Sequence, residues 1–378
     1  MSFRVTGASE FQLLVDGKDM QIGKDTLKEV SLIENARESI PSIALTFLDN
    51  KNRAGSFGLF QDGTPIHITI GDGKTSAIEY KFQQWSIDSL QALASGELAS
   101  LHGVANVVPW FTSVTKKHHE GNSHEVIPML AKMGGIEKVI SDITTMDKMV
   151  HLPDGRTIAQ FARRIMDHAW IGAGSCPHLA LTSQGGQWAL RMSDIMKPSS
   201  ALKTLASPGI GKKGDLIIWD YRIQSNSGPN NKFVNYGHKV VQEMLSGAAN
   251  IHLPMQFAKM ASQTGISSAL STAVGVARTL YHPPDGGNTH DNFAKALHNN
   301  RMARATFSAI IHVMLDTKSD LKLMDDVQVQ LARSNGEPDD AYSGTYKVSA
   351  KTVHISRGMY REKIELTGQG SGGSGSGK

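Results

Sequence analysis

The chain has 378 residues, of which 40% are hydrophobic and 20% are charged, so it can build sizeable cores and is not a disordered polymer. Its 39 Lys and Arg residues against 35 Asp and Glu give a net charge of +4. Without a polybasic block, this balance argues against sequence-specific nucleic-acid binding, although it tolerates phosphate passing nearby.

The cysteine content and the hydropathy of the sequence limit the cellular compartment in which the protein folds. Cys176 is the only cysteine, which excludes a disulfide within one chain and a cysteine-based zinc site. This fits folding in a reducing cytosol. No run approaches the roughly 20 apolar residues that cross a bilayer, and the N-terminus lacks the apolar core of a signal peptide. We therefore expect synthesis in the cytoplasm and no membrane-spanning segment.

The first 107 residues predict a small antiparallel β-barrel. Short segments of alternating or β-branched residues recur at 11–15, 26–35, 42–48, 64–70, 77–87 and 97–105. Turn pairs such as Asp16-Gly17 separate them. Six short strands without a convincing long helix favour a barrel or sandwich.

The pattern changes after residue 107. Thr157 is a candidate N-cap, and the apolar residues from Ile158 to Ala169 recur at helical spacing. Residues 179–192 alternate around Gly185-Gly186, which predicts a β-hairpin. We therefore expect an α/β unit over residues 108–205.

The remainder predicts a second β-barrel that is interrupted by helices. Strand patterns occupy residues 216–224, 233–242, 306–315 and 327–332, whereas residues 251–304 are rich in small residues at helical spacing. A long hairpin closes the unit, with its turn at Ser356-Arg357-Gly358. Residues 369–378 form a Gly/Ser tail, which we expect to be flexible.

The first strand of the closing hairpin carries a basic polar face. Strict alternation places Tyr346 and Val348 on one face and Lys347, Ser349 and Lys351 on the other. One interpretation is a strand face open to water. The other is that Lys347, Ser349 and Lys351 face a lumen or a neighbouring subunit.

The closing segment Ser343-Gly-Thr-Tyr-Lys-Val and the run from Gly358 to Leu366 resemble the last hairpin of central baseplate hub proteins of contractile-tailed phages. Those hubs include the late-control-gene-D proteins and the N-terminal part of the VgrG secretion spike. The runs Phe11-Gln-Leu-Leu-Val-Asp-Gly and Gly63-Thr-Pro-Ile-His-Ile-Thr-Ile-Gly are similar to the first unit of these hubs. The likeness spans the chain, but it consists of strand and turn patterns.

The resemblance implies a mainly β fold with α+β insertions: two similar antiparallel β-barrels plus an outer α/β domain. The first barrel would cover 1–107, the outer domain 108–205 with 247–303, and the second barrel 206–246 with 304–368. A homotrimer would form a pseudo-six-fold ring in the virion tail baseplate. Its implied partners are the tail tube protein, the central spike or needle, and neighbouring wedge or tape-measure proteins. DNA would pass without sequence recognition.

The candidate chemical sites are weak, so we predict no enzyme, cofactor or metal. His118-His119-Glu120 and His124-Glu125 lack the spacing that converges on zinc. Cys176 has no base placed to activate it, and the glycines of residues 209–214 precede a strand where a phosphate loop needs a helix. One alternative is a tail-associated peptidoglycan hydrolase using carboxylates of residues 108–205. The other is a VgrG-like secretion hub, which would require a separate spike.

Overall fold

The computed structural model describes most of the chain outside residues 226–308. The described residues are 10–23, 25–36, 40–59, 61–72, 75–172, 174–197, 203–225, 239–243, 250–253, 279–282, 290, 292–293, 296, 299, 309–333, 335–340, 342–356 and 358–368. The Gly/Ser tail and residues 254–278 lie outside them. Helices are expected over residues 251–304, but residues 251–253 and 279–282 are strands. None of the described helices is long and apolar enough to cross a membrane.

The N-terminal region is a β unit with one short helix. Its elements are β1 (Glu10–Val15), β2 (Lys18–Asp19), β3 (Leu27–Asn35), β4 (Ser42–Asp49), α1 (Arg53–Ser56), β5 (Pro65–Gly71), β6 (Ile78–Leu93) and β7 (Gly96–Ala105). All six predicted strands are present. The Asp16-Gly17 turn also forms, with both residues at positive φ. Alternation drives this fold: Ile66, Ile68 and Ile70 are buried, whereas the side chains between them are less so.

The outer region is a compact α/β unit. Its elements are α2 (Val108–Thr112), β8 (His119–Gly121), α3 (Ser123–Met133), β9 (Lys138–Ser141), β10 (Met149–His151), α4 (Ile158–Asp167), β11 (Pro177–Gln184) and β12 (Gln187–Asp194). Thr157 caps α4 as predicted, because its hydroxyl accepts a hydrogen bond from the Gln160 backbone N–H at 3.4 Å. The hairpin around Gly185-Gly186 is also confirmed.

The C-terminal region is a second β unit. Its elements are β13 (Lys203–Ala206), β14 (Leu216–Ile217), β15 (Asp220–Ser225), β19 (Ala309–Leu315), β20 (Asp326–Gln330), β21 (Gly344–Ser356) and β22 (Met359–Gly368). β13 lies in this unit, although the sequence boundary at residue 205 left it outside. Between β15 and β19, the strands β16 (Lys239–Glu243), β17 (Asn250–Leu253) and β18 (Thr279–His282) pair with one another. Residues 239–242 were expected in the second barrel, whereas they pair in this separate sheet.

The two β units repeat one topology. In the first unit the neighbouring strands run β1-β5-β6-β7-β4-β3, and in the second they run β13-β20-β21-β22-β19-β15. When the strands of each unit are numbered by their order along the chain, leaving out β2 and β14, strands with the same number hold the same position in the two sheets. The short strands β2 and β14 pair with the first strand of each unit. β13 departs from the pattern, because it runs parallel to both of its neighbours whereas β1 is antiparallel to its own. The predicted resemblance between the two units is therefore confirmed.

The closing hairpin joins the two units into one 14-stranded sheet. Residues 344–347 of β21 pair with β20, and residues 350–356 pair with β3 of the first unit. A β-bulge lies between the two segments, at Val348/Ala350. One extra residue reverses which side chains face inward, so Tyr346 and Val348 pack in one core and Val353 and Ile355 in the other.

The outer unit packs on this framework, and described residues between β18 and β19 contact the outer unit. One core cluster is continuous from the first β unit into α3 and α4, where it includes Leu130 and Phe161. Phe293 contacts the end of α4, because its ring stacks on His168 at 3.9 Å between centroids. The His168 carbonyl oxygen also lies 2.9 Å from His290 Nε2.

Candidate functional site: a buried junction and two open strand edges

A buried ion pair occupies the junction between the β units. The Lys351 ammonium lies 3.0 Å from the Glu362 carboxylate and donates to the Leu321 carbonyl oxygen at 3.1 Å. Both side chains are almost fully buried. Glu362 also accepts hydrogen bonds from the Ser319 hydroxyl and backbone N–H, at 2.5 and 2.9 Å, and from the Tyr360 hydroxyl at 3.1 Å. Several donors therefore compensate the desolvated carboxylate.

A second buried carboxylate, Glu34, links the junction to the outer unit. Its Oε2 accepts hydrogen bonds from the Thr182 hydroxyl at 2.8 Å and from the Ser183 backbone N–H at 3.1 Å. Burial raises the pKa of Glu34, and the nearby Lys351 and these two hydrogen bonds oppose the rise. Burial, the largest single influence, would lower the pKa of Lys351, but Glu362, Tyr80 and Glu34 together outweigh it, so the pKa of the ammonium is raised. The geometry therefore favours a charged Lys351.

A second buried ion pair holds the other end of β21. The Lys347 ammonium lies 2.8 Å from the Asp326 carboxylate of β20 and donates to the Lys197 carbonyl oxygen at 3.2 Å. Ser349, the bulged residue between the two lysines, donates to the Glu365 backbone and side-chain oxygens. These contacts fix β21 on both sides of its bulge.

The structure corrects the orientation expected for Lys347, Ser349 and Lys351. The chain's own residues cover all three, which are 8%, 7% and 3% exposed. They therefore do not form an open basic strand face. The bulge explains why Lys351 is buried. Beyond it, the odd-numbered side chains point inward, so Lys351 lies on the same buried face as Val353. Strict alternation cannot reveal an inserted residue. One signal was present: Glu362 shares its strand face with apolar Tyr360 and Ile364.

A cavity of about 370 Å³ lies beside the junction. All three regions contribute to its lining: Glu34 and Tyr80 from the first unit, Gly185 from the outer hairpin, and Asp320 and Lys351 from the second unit. The shape of the cavity therefore depends on how the three regions pack against one another.

One strand edge of the first unit is open. Residues 78–83 of β6 pair with β5, but among the described residues no strand pairs with that edge beyond residue 84. The overhanging segment carries large apolar side chains that are exposed: Trp85 by 55%, Leu90 by 50%, and Ile87 and Leu93 by about 40%. An open edge with exposed apolar side chains is typical of an interaction surface, since such edges otherwise promote aggregation.

The second unit has an open edge of its own. β15 pairs with β19, and within the described part of the chain its other edge has no strand partner. Tyr221 and Ile223 of β15 face the second core but remain partly exposed. The Trp219 side chain just before β15 is 51% exposed, and the Arg361 guanidinium lies 5.1 Å from its ring centroid.

Several residues weighed as chemical sites make hydrogen bonds or ion pairs within the outer unit. Glu125 accepts a hydrogen bond from the Asn122 backbone N–H at 2.9 Å in a capping box, and this bond lowers the pKa of Glu125, the reverse of what a general acid needs. Glu120 lies 3.5 Å from the Lys148 ammonium. The His124 ring contacts Thr145, and Cys176 is buried. Among the described residues, no group of three His, Cys, Asp or Glu side chains gathers to hold a metal.

No family model matches this sequence, and no curated protein matches it. Several solved structures share its fold. A tail protein from Neisseria meningitidis MC58 aligns with a TM-score of 0.60 and 11% identity, covering 96% of this chain and 98% of that one. The 43 kDa tail protein of prophage MuSo2 from Shewanella oneidensis aligns with a TM-score of 0.56 and 13% identity, covering 95% and 96%.

The fold also extends to secretion machinery. A type VI secretion component of E. coli, itself similar to the T4 bacteriophage tail proteins gp27 and gp5, aligns with a TM-score of 0.51 and 8% identity, covering 94% of this chain and 76% of that one. In the half-lidded PdpA–VgrG complex of Francisella, the matched chain gives a TM-score of 0.54 at 10% identity, covering 95% and 58%. The resemblance drawn from the sequence is therefore confirmed at the level of the fold: this chain has the mainly β fold of phage tail proteins.

Proposed function

We propose that this chain is the central hub of the baseplate of a contractile phage tail, without catalytic activity. Three copies would form a ring of six β units in the virion. The tail tube would bind one side of this ring and the spike or needle the other, with wedge or tape-measure proteins as neighbours. DNA would pass through the ring without sequence recognition.

The repeated topology of the two β units carries this proposal. A chain that holds two copies of one unit can match a six-fold neighbour on one side with three copies and a three-fold neighbour on the other. The likeness to two phage tail proteins over almost their whole length supports the same role. The modest net charge of +4 suits a passage for DNA, because each neutralised phosphate would add affinity and slow transit.

The proposal is tested on tail particles purified from the strain that encodes the chain. We expect an epitope-tagged chain to co-purify with particles at three copies per tail, and a cryo-EM map to place it between tube and spike. Absence of the tagged, folded chain from otherwise complete tails would refute the hub role.

A secretion hub is the second candidate, supported by the likeness to the E. coli type VI component and to the chain in the PdpA–VgrG complex. It predicts that the chain co-purifies with a secretion spike in cells that make no phage tail. Particle purification separates the two candidates, since the same tagged chain would appear in different assemblies.

A wall-degrading enzyme is the reading we do not adopt. Release of muropeptides from purified peptidoglycan by the isolated chain, abolished in Glu120→Gln or Glu125→Gln, would reverse that choice. We expect no release above that of a buffer control.

A further inference from the structure

The junction inside the chain offers a template for a contact between copies. Within one chain, β21 of the second unit overhangs its neighbour β20 and pairs with β3 of the first unit. Because the units share one topology, β6 is the equivalent of β21 and β15 is the equivalent of β3. Among the described strands, β6 and β15 also have open edges. Each chain thus presents both halves of a junction that it forms only once.

The strands correspond residue by residue. β6 bulges at Gln84/Ser86, as β21 bulges at Val348/Ala350, and the hairpin partners then align in the same order. β6 has a second bulge at Ile87/Ser89. Beyond it, Leu90 lies opposite Ala99 of β7, and Val353 lies opposite Glu362 of β22. Because Ala99 and Glu362 hold the same position in their hairpins, Leu90 is the equivalent of Val353. Ile87 takes the place of Lys351 by the same alignment.

The exposure of these positions agrees with the template. Val353 and Lys351, which pair with β3, are 1% and 3% exposed, whereas Leu90 and Ile87 are 50% and 38% exposed. Following the ladders across each unit, Ile223 of β15 corresponds to Leu32 of β3. Leu32 is fully buried in the junction, but Ile223 remains partly exposed.

We infer that β6 of one copy pairs antiparallel with β15 of the next copy, in the register of the β21–β3 junction. Within the chain, Val353 lies opposite Leu32 and His354 opposite Ser31. The equivalent contact places Leu90 opposite Ile223 of the next copy and Gln91 opposite its Arg222. This is a head-to-tail contact, which closes into a ring when the rotation between units allows it. The inference rests on the proposed hub role, for which it supplies the subunit interface.

The second copy is favoured over another partner because the chain provides both sides of the contact. The β6 overhang presents apolar Ile87 and Leu90, and β15 presents Tyr221 and Ile223, so the pairing would bury apolar surface on both sides. It would also satisfy the backbone hydrogen-bonding groups of two open edges. An unrelated strand could cover one edge, but it would leave the other open.

Cysteine cross-linking tests the register. Gln91→Cys and Arg222→Cys are introduced together, in a chain whose only other cysteine, Cys176, is buried. Directly opposed residues of antiparallel strands lie within disulfide reach. Oxidation of assembled particles should link most copies into covalent multimers on a non-reducing gel. The matched control, Gln91→Cys with Asp220→Cys, shifts the register by two residues and should give at least about tenfold less product.

A charge substitution provides a second readout. Leu90→Arg would bury a charge at the interface and should reduce incorporation into particles by at least about tenfold. Its control, Met129→Arg, changes an equally exposed apolar residue on α3 and should incorporate normally. The free energies of unfolding of the monomeric Leu90→Arg and Met129→Arg chains should equal that of the parent chain within experimental error.

The outcomes separate the interface from the hub role. If particles contain the chain but the matched cysteines give no more product than the shifted pair, the β6–β15 contact is refuted and the hub role stands. If complete tails lack the unmodified chain, both proposals fail. Covalent multimers at the matched register, together with loss of incorporation for Leu90→Arg alone, support both.

Discussion

The two β units share one topology but differ in the residue that they place at the edge of the long hairpin, which is charged in one unit and apolar in the other. At equivalent positions of the long hairpins, the second unit has Lys351, 3% exposed and paired with Glu362, whereas the first unit has Ile87, 38% exposed. The difference follows from where each partner comes from. Lys351 finds its partners in the same chain, so its charge is compensated as the chain folds. Ile87 has no strand across its edge among the described residues, and an apolar side chain there costs little until a partner covers it.

Deleting Ser349 should have the largest effect on this comparison. Removal of the bulged residue turns Val353 and Ile355 from the inside of the sheet to the outside, because side chains alternate along a strand. We expect the free energy of unfolding to fall by more than about 5 kcal/mol, so that the variant does not accumulate as soluble protein with a cooperative unfolding transition.

Ser349→Ala is the matched control for that deletion. It keeps the bulge and loses only the hydrogen bonds to Glu365, so it should cost about 1 kcal/mol in denaturant unfolding. A deletion variant as stable as Ser349→Ala would show that β21 does not need its bulge to join the two units.

Breaking the buried ion pair should have the next largest effect. Lys351→Met leaves Glu362 and Glu34 buried without their cation, and we expect a loss of about 3–5 kcal/mol in urea unfolding. The control is Lys363→Met, an exposed lysine on the same hairpin, which should change stability by less than about 0.5 kcal/mol. Equal effects for the two variants would mean that the pair contributes nothing specific to the junction.

The sequence predicts the six strands of the first unit and most strands of the second, because each depends on local alternation and turn chemistry. The cap at Thr157 is also of this kind. The sequence leaves β13 outside the second unit and assigns to that unit residues 239–242, which pair in a separate sheet. The sequence does not predict the junction, because it depends on one inserted residue and on pairing between β21 and β3, which lie more than 300 residues apart in the chain. The open edges of β6 and β15 are equally invisible, since an edge is defined by the absence of a neighbour.

The pH dependence of Glu34 gives a smaller effect with a defined sign. Burial raises the pKa of Glu34 in the folded chain above its ordinary value of 4.5. As pH rises above 4.5, the unfolded chain loses this proton before the folded chain does, so the stabilisation present below pH 4.5 declines until the folded group also ionises. The slope is at most about 1.4 kcal/mol per pH unit.

Glu34→Gln keeps an acceptor for Thr182 and Ser183 but cannot ionise, so it should lack this decline. Denaturant unfolding from pH 4 to 8 measures the difference between the two chains. A parent chain that gains stability relative to Glu34→Gln as pH rises would show that the folded pKa is lowered.

Ile87→Lys should have the smallest effect on the isolated chain, and it tests the comparison directly. It places in the first unit the residue type that the second unit buries at the equivalent position. Because Ile87 is 38% exposed, the ammonium can remain in water, and we expect the free energy of unfolding of the monomer to change by less than about 0.5 kcal/mol. Neither Glu362 nor Glu34 has an acidic equivalent here, since Ala99 and Ser225 occupy those places. The same lysine should therefore be tolerated in the monomer and rejected on assembly. A large loss of monomer stability would mean that residue 87 already packs in a core, and the contrast between the two units would not hold.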